Sequence, residues 1–304
     1  MVESFSISEA MVTPLRVIRR HPVAVFAWGF AVAAFYLLFM TLIFGALADI
    51  PLAQDAEPSP VLMGRIMAVQ GASMILNVGQ LALTVMVWAA TMRATLRIGR
   101  PDRYLFMRLG MDELRLLVVG AALFLGTYLA VIVLVLLGAA ISAVIWQASE
   151  AAAVIVGMIM LLLLIAGVAV AMARLSLIAP ATMILQRLAF VEGWKLGRGR
   201  TLPLLGLLAC TWLAYLLLYF VIAFIVIVAL FAAGFFAHVQ NAQGAATLGE
   251  LFPSAVVLWS VAAVVLIPGA FVYGAVMTLL SAPFVAACRE LLDGAPGDAP
   301  VTIG

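Results

Sequence analysis

Five uncharged polar side chains recur three and four positions apart within one largely apolar segment of this sequence. They are Gln70, Ser73, Asn77, Gln80 and Thr84, which we call the polar stripe. This spacing places all five on one face of a helix. The stripe predicts either hydrogen bonds between helices, worth ~0.6 kcal/mol each, or a polar cavity for a headgroup, a solute or water. The absence of an ionisable residue from the stripe favours the first interpretation, because proton and ion relays in membranes normally include one.

A second candidate set is basic and lies between two long apolar segments. Its members are Arg187, Lys195, Arg198 and Arg200. Arginine and lysine near the ends of membrane helices extend their charged groups toward the headgroups and attract anionic lipid. We therefore expect these four residues to contact lipid headgroups, and we expect no nucleic-acid partner.

The sequence lacks the motifs that would place a catalytic, cofactor or metal centre in the chain. It contains no His-Glu-x-x-His zinc motif, no Gly-x-Ser-x-Gly turn and no Gly-x-x-x-x-Gly-Lys-Ser/Thr phosphate loop. His21 and His238 fall on opposite sides of the predicted membrane, and Cys210 and Cys288 have no metal-binding spacing. We therefore expect no catalytic residue, no cofactor, no metal and no enzymatic activity.

Six long uncharged segments make up most of the chain and position the candidate residues. They are Val23–Ala48, Ile66–Met92, Leu116–Ile145, Ala151–Ala173, Leu202–Ala237 and Ser254–Leu280. Each exceeds the ~20 apolar residues that a helix needs to cross a membrane. Lipid cannot hydrogen-bond to the backbone, so spans of this kind must be helical. With 67% hydrophobic and only 10% charged residues, the sequence predicts an all-α integral membrane bundle of six transmembrane helices.

The distribution of charge predicts how these helices cross the membrane. Basic clusters recur on alternate sides of the six segments, and the positive-inside rule then places the clusters and both termini in the cytoplasm. Short connections on the other side join the helices into three hairpins, of which the turn at Trp146–Glu150 is the tightest. The first segment is far longer than the ~7–15-residue apolar core of a signal peptide, so we expect it to be a retained span.

We expect residues 1–288 to form a single six-helix domain that carries short amphipathic helices on its cytoplasmic surface. These surface helices are predicted near residues 6–20, 104–115 and 181–195, where apolar and charged side chains alternate. Ser6 and Glu9 have the spacing of a capping box at the start of the first. Residues 289–304 contain Gly, Pro and Asp and are predicted to be a disordered cytoplasmic tail.

The segment Arg174–Ala181, followed by Glu192–Arg200, resembles bacterial polytopic inner-membrane proteins. Their nearest named relative is the membrane domain that accompanies some glycerophosphodiester phosphodiesterases. The shared pattern is an apolar-Ala-Pro helix end, a short surface helix, and then a Trp-x-Leu-x-x-Gly-basic sequence, with Gly197 here where a Thr is common. The resemblance covers mainly residues 170–210 and the six-helix plan. It implies a bacterial inner-membrane protein and carries over no catalytic residue, because the phosphodiesterase domain is absent.

These patterns together predict a non-enzymatic integral protein of a bacterial inner membrane that organises or assists membrane partners or lipids. The expected partners are membrane lipids and, as a further possibility, another membrane protein. The alternative is a small transporter or permease that uses the polar stripe of the second transmembrane helix. A lipid-active enzyme ranks third, since His21, Glu150 and Glu192 are its only starting points.

Overall fold

The computed structural model describes residues 5–47, 60–99, 102, 105–108, 110–232, 234 and 255–293. Regular secondary structure within these residues is entirely helical. The helices are α1 (Ile7–Arg20), α2 (Pro22–Leu47), α3 (Pro60–Leu96), α4 (Met111–Trp146), α5 (Glu150–Leu175), α6 (Ile178–Leu185), α7 (Phe190–Gly197), α8 (Thr201–Ala232) and α9 (Ala255–Asp293).

The predicted all-α bundle with six membrane spans is confirmed. Helices α2, α3, α4, α5, α8 and α9 are each long and apolar enough to cross a membrane. Their sides are largely exposed: the most apolar stretches of α4 and α8 bury none of their residues within the protein. An exposed surface this apolar requires lipid around it, so the chain is a multi-pass membrane protein. The hairpin partners α2 and α3, α4 and α5, and α8 and α9 are in contact.

Helices α2 and α9 make the most extensive contact between any two helices in the described part of the chain. Two glycines allow this approach. A Cβ added to Gly29 would lie 1.6 Å from the carbonyl oxygen of Ala270, and one added to Gly274 would lie 1.9 Å from that of Val25. Small residues let membrane helices pack backbone to backbone, so this reciprocal pair of glycines joins the first span to the last.

Five of the spans form a closed ring in which each helix contacts the next. The order around the ring is α3, α4, α5, α8 and α9, and α9 closes it against α3. Helix α2 packs against both α3 and α9. The ring therefore has an interior, and the residues that face it are the candidates for binding.

Most buried residues lie at one end of the bundle, which we call the basic end because the arginine-rich connections meet there. Helix α1 packs beneath α8 and α9 through Ala10, Thr13, Pro14 and Val17, and it bears out the predicted helix near residues 6–20. The side chain of Ser6 accepts a bond from the backbone of Glu9 at its start. The basic end is thus a packed layer, and the spans extend from it with largely exposed sides.

The prediction of one surface helix near residues 181–195 is wrong in its form. The structure has two short helices, α6 and α7, separated at Gln186, whose φ of 51° is left-handed. Residues Ile178–Ile184 are buried rather than spread on the surface. Gly193 of α7 lies against Ile178, with only 2.7 Å between its hypothetical Cβ and the Ile178 Cα. The apolar sequence of α6 reflects burial within the protein and not contact with lipid.

The predicted surface helix near residues 104–115 is also wrong. Leu105 and Phe106 form a turn, Met107 and Arg108 are irregular, and residues Met111–Arg115 belong to the first turns of the long helix α4. Phe106 is 1% exposed and packs among residues of α1, α2 and α3. Its φ of 65° lies in the left-handed region, and the burial of its ring offsets the backbone strain of that conformation. Core packing of one aromatic ring therefore overrides the amphipathic pattern here.

The prediction of a disordered tail is wrong for its first residues. Helix α9 passes through Pro283 and continues to Asp293, so residues 289–293 are helical. Leu291 is buried in the basic end, and Arg289 pairs with Asp293 at 3.7 Å. Residues 294–304 lie outside the described part of the chain.

Candidate functional site

A pocket of about 640 Å³ lies inside the helix ring, on the side of the basic end. All five ring helices line it, and Ala179 and Pro180 of the buried helix α6 form its floor. Its volume is within the ~300–1,000 Å³ that small-molecule sites usually have. Along α4 the lining runs from Gly120 to Val131, which is about 16 Å of helix axis at ~1.5 Å per residue.

The lining of this pocket is apolar and carries no Asp, Glu, Lys, Arg or His among its described residues. Three of its hydroxyl groups are engaged by the protein itself. The Ser176 Oγ donates to the Ala173 carbonyl at 2.8 Å, and the Thr211 Oγ1 lies 3.6 Å from the Met11 sulfur. The Ser281 Oγ lies 2.8 Å from the Met277 carbonyl oxygen and 2.9 Å from the Thr91 Oγ1. Such a surface favours hydrocarbon over a charged or strongly hydrated group.

Four aromatic rings face the pocket and remain partly uncovered. Phe124 and Tyr128 of α4 stack with ring centroids 6.0 Å apart and are 70% and 57% exposed. Trp88 of α3 and Trp212 of α8 complete the set. Their exposure shows that the pocket is open, and the buried helix α6 closes it at the basic end. The pocket is therefore open on a side other than that of α6.

The polar stripe lies on the face of α3 that continues into the pocket wall. Trp88 follows Thr84 by four positions, so both lie on one side of the helix. Gln80 donates a hydrogen bond to the hydroxyl of Tyr36 on α2, which is the interhelical bonding that the sequence predicts. Asn77 and Gln70 are exposed, and the Ser73 hydroxyl bonds to the Gln70 carbonyl at 2.7 Å. The stripe is thus only partly used in packing.

Helix α8 presents a matching aromatic face. Trp212 meets Tyr215 edge to face at 5.6 Å, and Tyr215 lies 6.2 Å from Tyr219. The spacing of three and four places these residues on the face that lines the pocket. The upper part of the ring is therefore bordered by amides on α3 and by phenols on α8.

The four basic candidates differ in their surroundings. Arg187 pairs with Glu192 at 3.1 Å on the surface, while Lys195 and Arg198 are exposed. Arg200 is half-buried, and its Nε is enclosed without a hydrogen-bond partner among the described residues. Three of the four thus remain available for headgroup contacts at the basic end, and Arg187 is engaged in an ion pair.

Arg174 belongs to the same basic segment of the sequence but was not among the four predicted headgroup contacts. Its Nε donates to the Thr201 hydroxyl at 3.0 Å, and its guanidinium carbon lies 5.5 Å from the ring centroid of Trp194. A cation over an indole ring is held by the charge distribution of the ring. The signal was available, because Arg174 directly follows the uncharged run that ends at Ala173.

A buried ion pair between α3 and α4 was also not predicted. Arg93 donates to the carboxylate of Glu113, which is 7% exposed. Arg93 also donates to the Phe106 carbonyl at 3.0 Å, and Glu113 accepts from the Gly110 backbone at 2.9 Å. The pair lies outside the pocket and fixes the connection between the two helices, so its role is structural.

Chemistry that depends on a metal or on paired acids has little support in this arrangement. No group of three or more His, Cys, Asp or Glu that could hold a metal ion occurs in the part of the chain that the structure describes. His238 lies outside the described residues, and His21 bonds to the Ile98 carbonyl at 3.1 Å. What the pocket can do is bind an apolar molecule.

Comparison with known proteins does not assign this chain to a family. No protein-family model, no curated protein and no solved structure matches the chain. The resemblance to membrane domains of phosphodiesterase-associated proteins therefore stays an expectation from a short segment.

Proposed function

We propose that this chain is a non-enzymatic integral membrane protein that binds lipids and so organises or assists membrane partners. The observation that carries the proposal is the open, uncharged pocket inside the helix ring. General acid–base or nucleophilic catalysis needs a titratable or nucleophilic group beside the substrate. Among the described lining residues, only the phenol of Tyr128 and weakly acidic hydroxyls meet that description, and no neighbouring base activates them.

The proposed location is a bacterial inner membrane with the basic end in the cytoplasm. Support comes from the resemblance of residues 170–210 and from the arginines, which gather at one end of the bundle. Arg16, Arg19 and Arg20 on α1 are exposed at that end together with Lys195 and Arg198. Cytoplasmic connections in membrane proteins carry such an excess of basic residues, and anionic lipid would be attracted to them.

A transporter is the second candidate function. The specific observation in its favour is that Asn77 and Gln70 are exposed although they sit on a membrane helix. Polar side chains on a membrane helix normally face protein or a water-filled cavity. A solute pathway that begins at the polar stripe and is closed at the pocket floor would correspond to one state of an alternating-access cycle, the state closed at the basic end.

The two functions can be separated by analysing what stays bound after gentle extraction. We would compare wild type with Asn77→Leu and with a triple Arg16→Gln, Arg19→Gln, Arg20→Gln variant by mass spectrometry of the retained molecules. The lipid-organising role predicts that Asn77→Leu keeps every bound lipid and any co-purifying protein, whereas the triple variant loses the anionic lipid or the protein held at the basic end. A retained solute that only Asn77→Leu releases supports transport and contradicts the first role.

A further inference from the structure

We infer that the pocket inside the helix ring holds one hydrocarbon tail of an uncharged amphiphile, which enters from the middle of the membrane. This inference rests on the proposed lipid-binding function and names its ligand and site. The pocket is bordered by Trp88, Phe124, Tyr128 and Trp212, and Ala179 lies at its floor.

The shape of the pocket argues for a tail rather than a compact molecule. Its lining along α4 covers about 16 Å at ~1.5 Å per residue, which is about half of a ~30 Å hydrocarbon core. This is the depth that the chains of one leaflet occupy. Because α6 is buried and closes the basic end, a chain inserts with its methyl end first and stops at Ala179 and Pro180.

The chemistry of the wall argues for hydrocarbon. The hydroxyls of Ser176, Thr211 and Ser281 are turned toward partners in the protein, so the wall is mostly methyl, methylene and aromatic groups, with the hydroxyls of Thr127 and Tyr128 as its further polar atoms. An ionised group inside would lose its hydration with no opposite charge in the lining to replace it. The surrounding solvent of the spans is itself hydrocarbon, and a lipid tail is the occupant that the membrane supplies.

The polar end of the amphiphile is assigned from the residues around the pocket mouth. Met92 and Trp88 are the lining residues of α3, and Thr84 and Gln80 lie two to three helical turns from Met92 on the far side of Trp88, beyond the lining. Tyr215 and Tyr219 lie above Trp212 on α8. All of these groups are amides, hydroxyls and phenols, so the matching polar group is one that hydrogen-bonds without charge, such as an alcohol.

Two glycines of α4 provide a matched pair of variants for the test. A Cβ added to Gly120 or to Gly126 meets nothing within 4 Å, so both sites have room for a larger side chain. Gly120 lines the pocket, whereas Gly126 is exposed and does not. Gly120→Leu therefore places a bulky side chain inside the pocket, and Gly126→Leu adds the same side chain elsewhere on the helix.

The experiment uses hexadecanol that carries a photoactivatable diazirine at its chain terminus. The full-length protein is reconstituted into phosphatidylcholine vesicles, illuminated with the probe, and the labelled residues are mapped by peptide mass spectrometry. We expect saturable labelling at the pocket floor near Ala179 and Pro180 that unlabelled hexadecanol displaces. Gly120→Leu should lower this labelling at least about tenfold, which corresponds to ~1.4 kcal/mol of binding, and Gly126→Leu should leave it unchanged.

Equal labelling of the two glycine variants, or labelling confined to the outward faces of the spans, would overturn the assignment. If palmitate reduces labelling by the probe as strongly as unlabelled hexadecanol does, the inference that the polar end of the ligand is uncharged is overturned. Thermal unfolding of both variants in the same detergent shows whether Gly120→Leu is folded. If extraction retains a defined lipid while Gly120→Leu leaves hexadecanol labelling intact, the pocket assignment fails and the proposed function stands.

Discussion

At the residue level, aromatic side chains bury the connection between α3 and α4 at the basic end. Trp28 is fully buried and donates to the Leu105 carbonyl at 2.8 Å. Its ring packs beside Phe106, which also meets His21 edge to face at 5.2 Å. The connection between α3 and α4 is therefore part of the core. Hydropathy could not reveal this, because one aromatic residue in a polar loop gives no periodic signal.

The Arg93–Glu113 pair leads to a prediction about stability. Glu113→Gln removes one partner and leaves the Arg93 guanidinium, which is 14% exposed, without its main counter-charge. Loss of one partner from a buried pair costs ~3–5 kcal/mol, and Asp112 at 3.7 Å from Arg93 should reduce the loss to the lower end of that range. The fall in unfolding midpoint can be measured by thermal denaturation in detergent.

The control for this experiment is an exposed pair in the same layer. Arg16 and Glu9 lie 3.4 Å apart and are both more than half exposed. Arg16→Gln should change stability by no more than ~1 kcal/mol, as surface pairs do. Similar losses of stability in Glu113→Gln and Arg16→Gln would show that burial does not strengthen the ion pair between α3 and α4.

At the scale of the helices, the sequence predicts spans well and their contacts poorly. Each span follows from a simple requirement, since an apolar run must be long enough to cross lipid and must be helical there. Packing between spans depends on which small residues meet, and Gly29 and Gly274 are far apart in sequence. The buried helix α6 was misread because the chain has no other signal that distinguishes contact with protein from contact with lipid.

The crossing of α2 and α9 provides a prediction at this scale. Gly29→Ala or Gly274→Ala places a methyl group within 2 Å of a backbone carbonyl oxygen of the other helix. The helices must separate, and overpacking of this kind costs ~1–3 kcal/mol or more. We expect a lower unfolding midpoint in detergent and a reduced yield of monodisperse protein in size-exclusion chromatography.

Gly269 on the same helix is the matched control for the crossing. Its added Cβ would meet nothing within 4 Å. Gly269→Ala should leave stability unchanged or raise it by up to ~1 kcal/mol through helix propensity. If all three alanine variants behave alike, the close approach of α2 and α9 is not what holds these spans together.

At the scale of the whole molecule, burial and charge gather at the same end. The core clusters contain residues of α1, α6, α7 and the adjoining ends of the spans, whereas the remainder of each span exposes apolar side chains. The sequence predicts the charge asymmetry directly, because arginines are visible in it. It does not predict the pocket, whose lining residues come from five spans and share no motif. Trp88, four positions after Thr84, was the one signal that the polar stripe leads into a wall.

The orientation of the molecule gives a prediction at this scale. In a Cys210→Ser background, Ser8→Cys places a thiol on exposed α1 at the basic end, and Gln147→Cys places one in the exposed turn between α4 and α5. A membrane-impermeant maleimide should label Ser8→Cys only in inside-out vesicles and Gln147→Cys only in intact spheroplasts. The reverse pattern would contradict a cytoplasmic basic end.

The central claim is that the ring interior is a lipid-binding pocket. Native mass spectrometry of gently extracted wild type, Gly120→Leu and Gly126→Leu tests it most directly, because it weighs whatever stays in the protein. We expect wild type and Gly126→Leu to retain one discrete adduct with the mass of a long-chain amphiphile, and Gly120→Leu to lose it. The same adducts on all three proteins, or none on wild type, would contradict the claim.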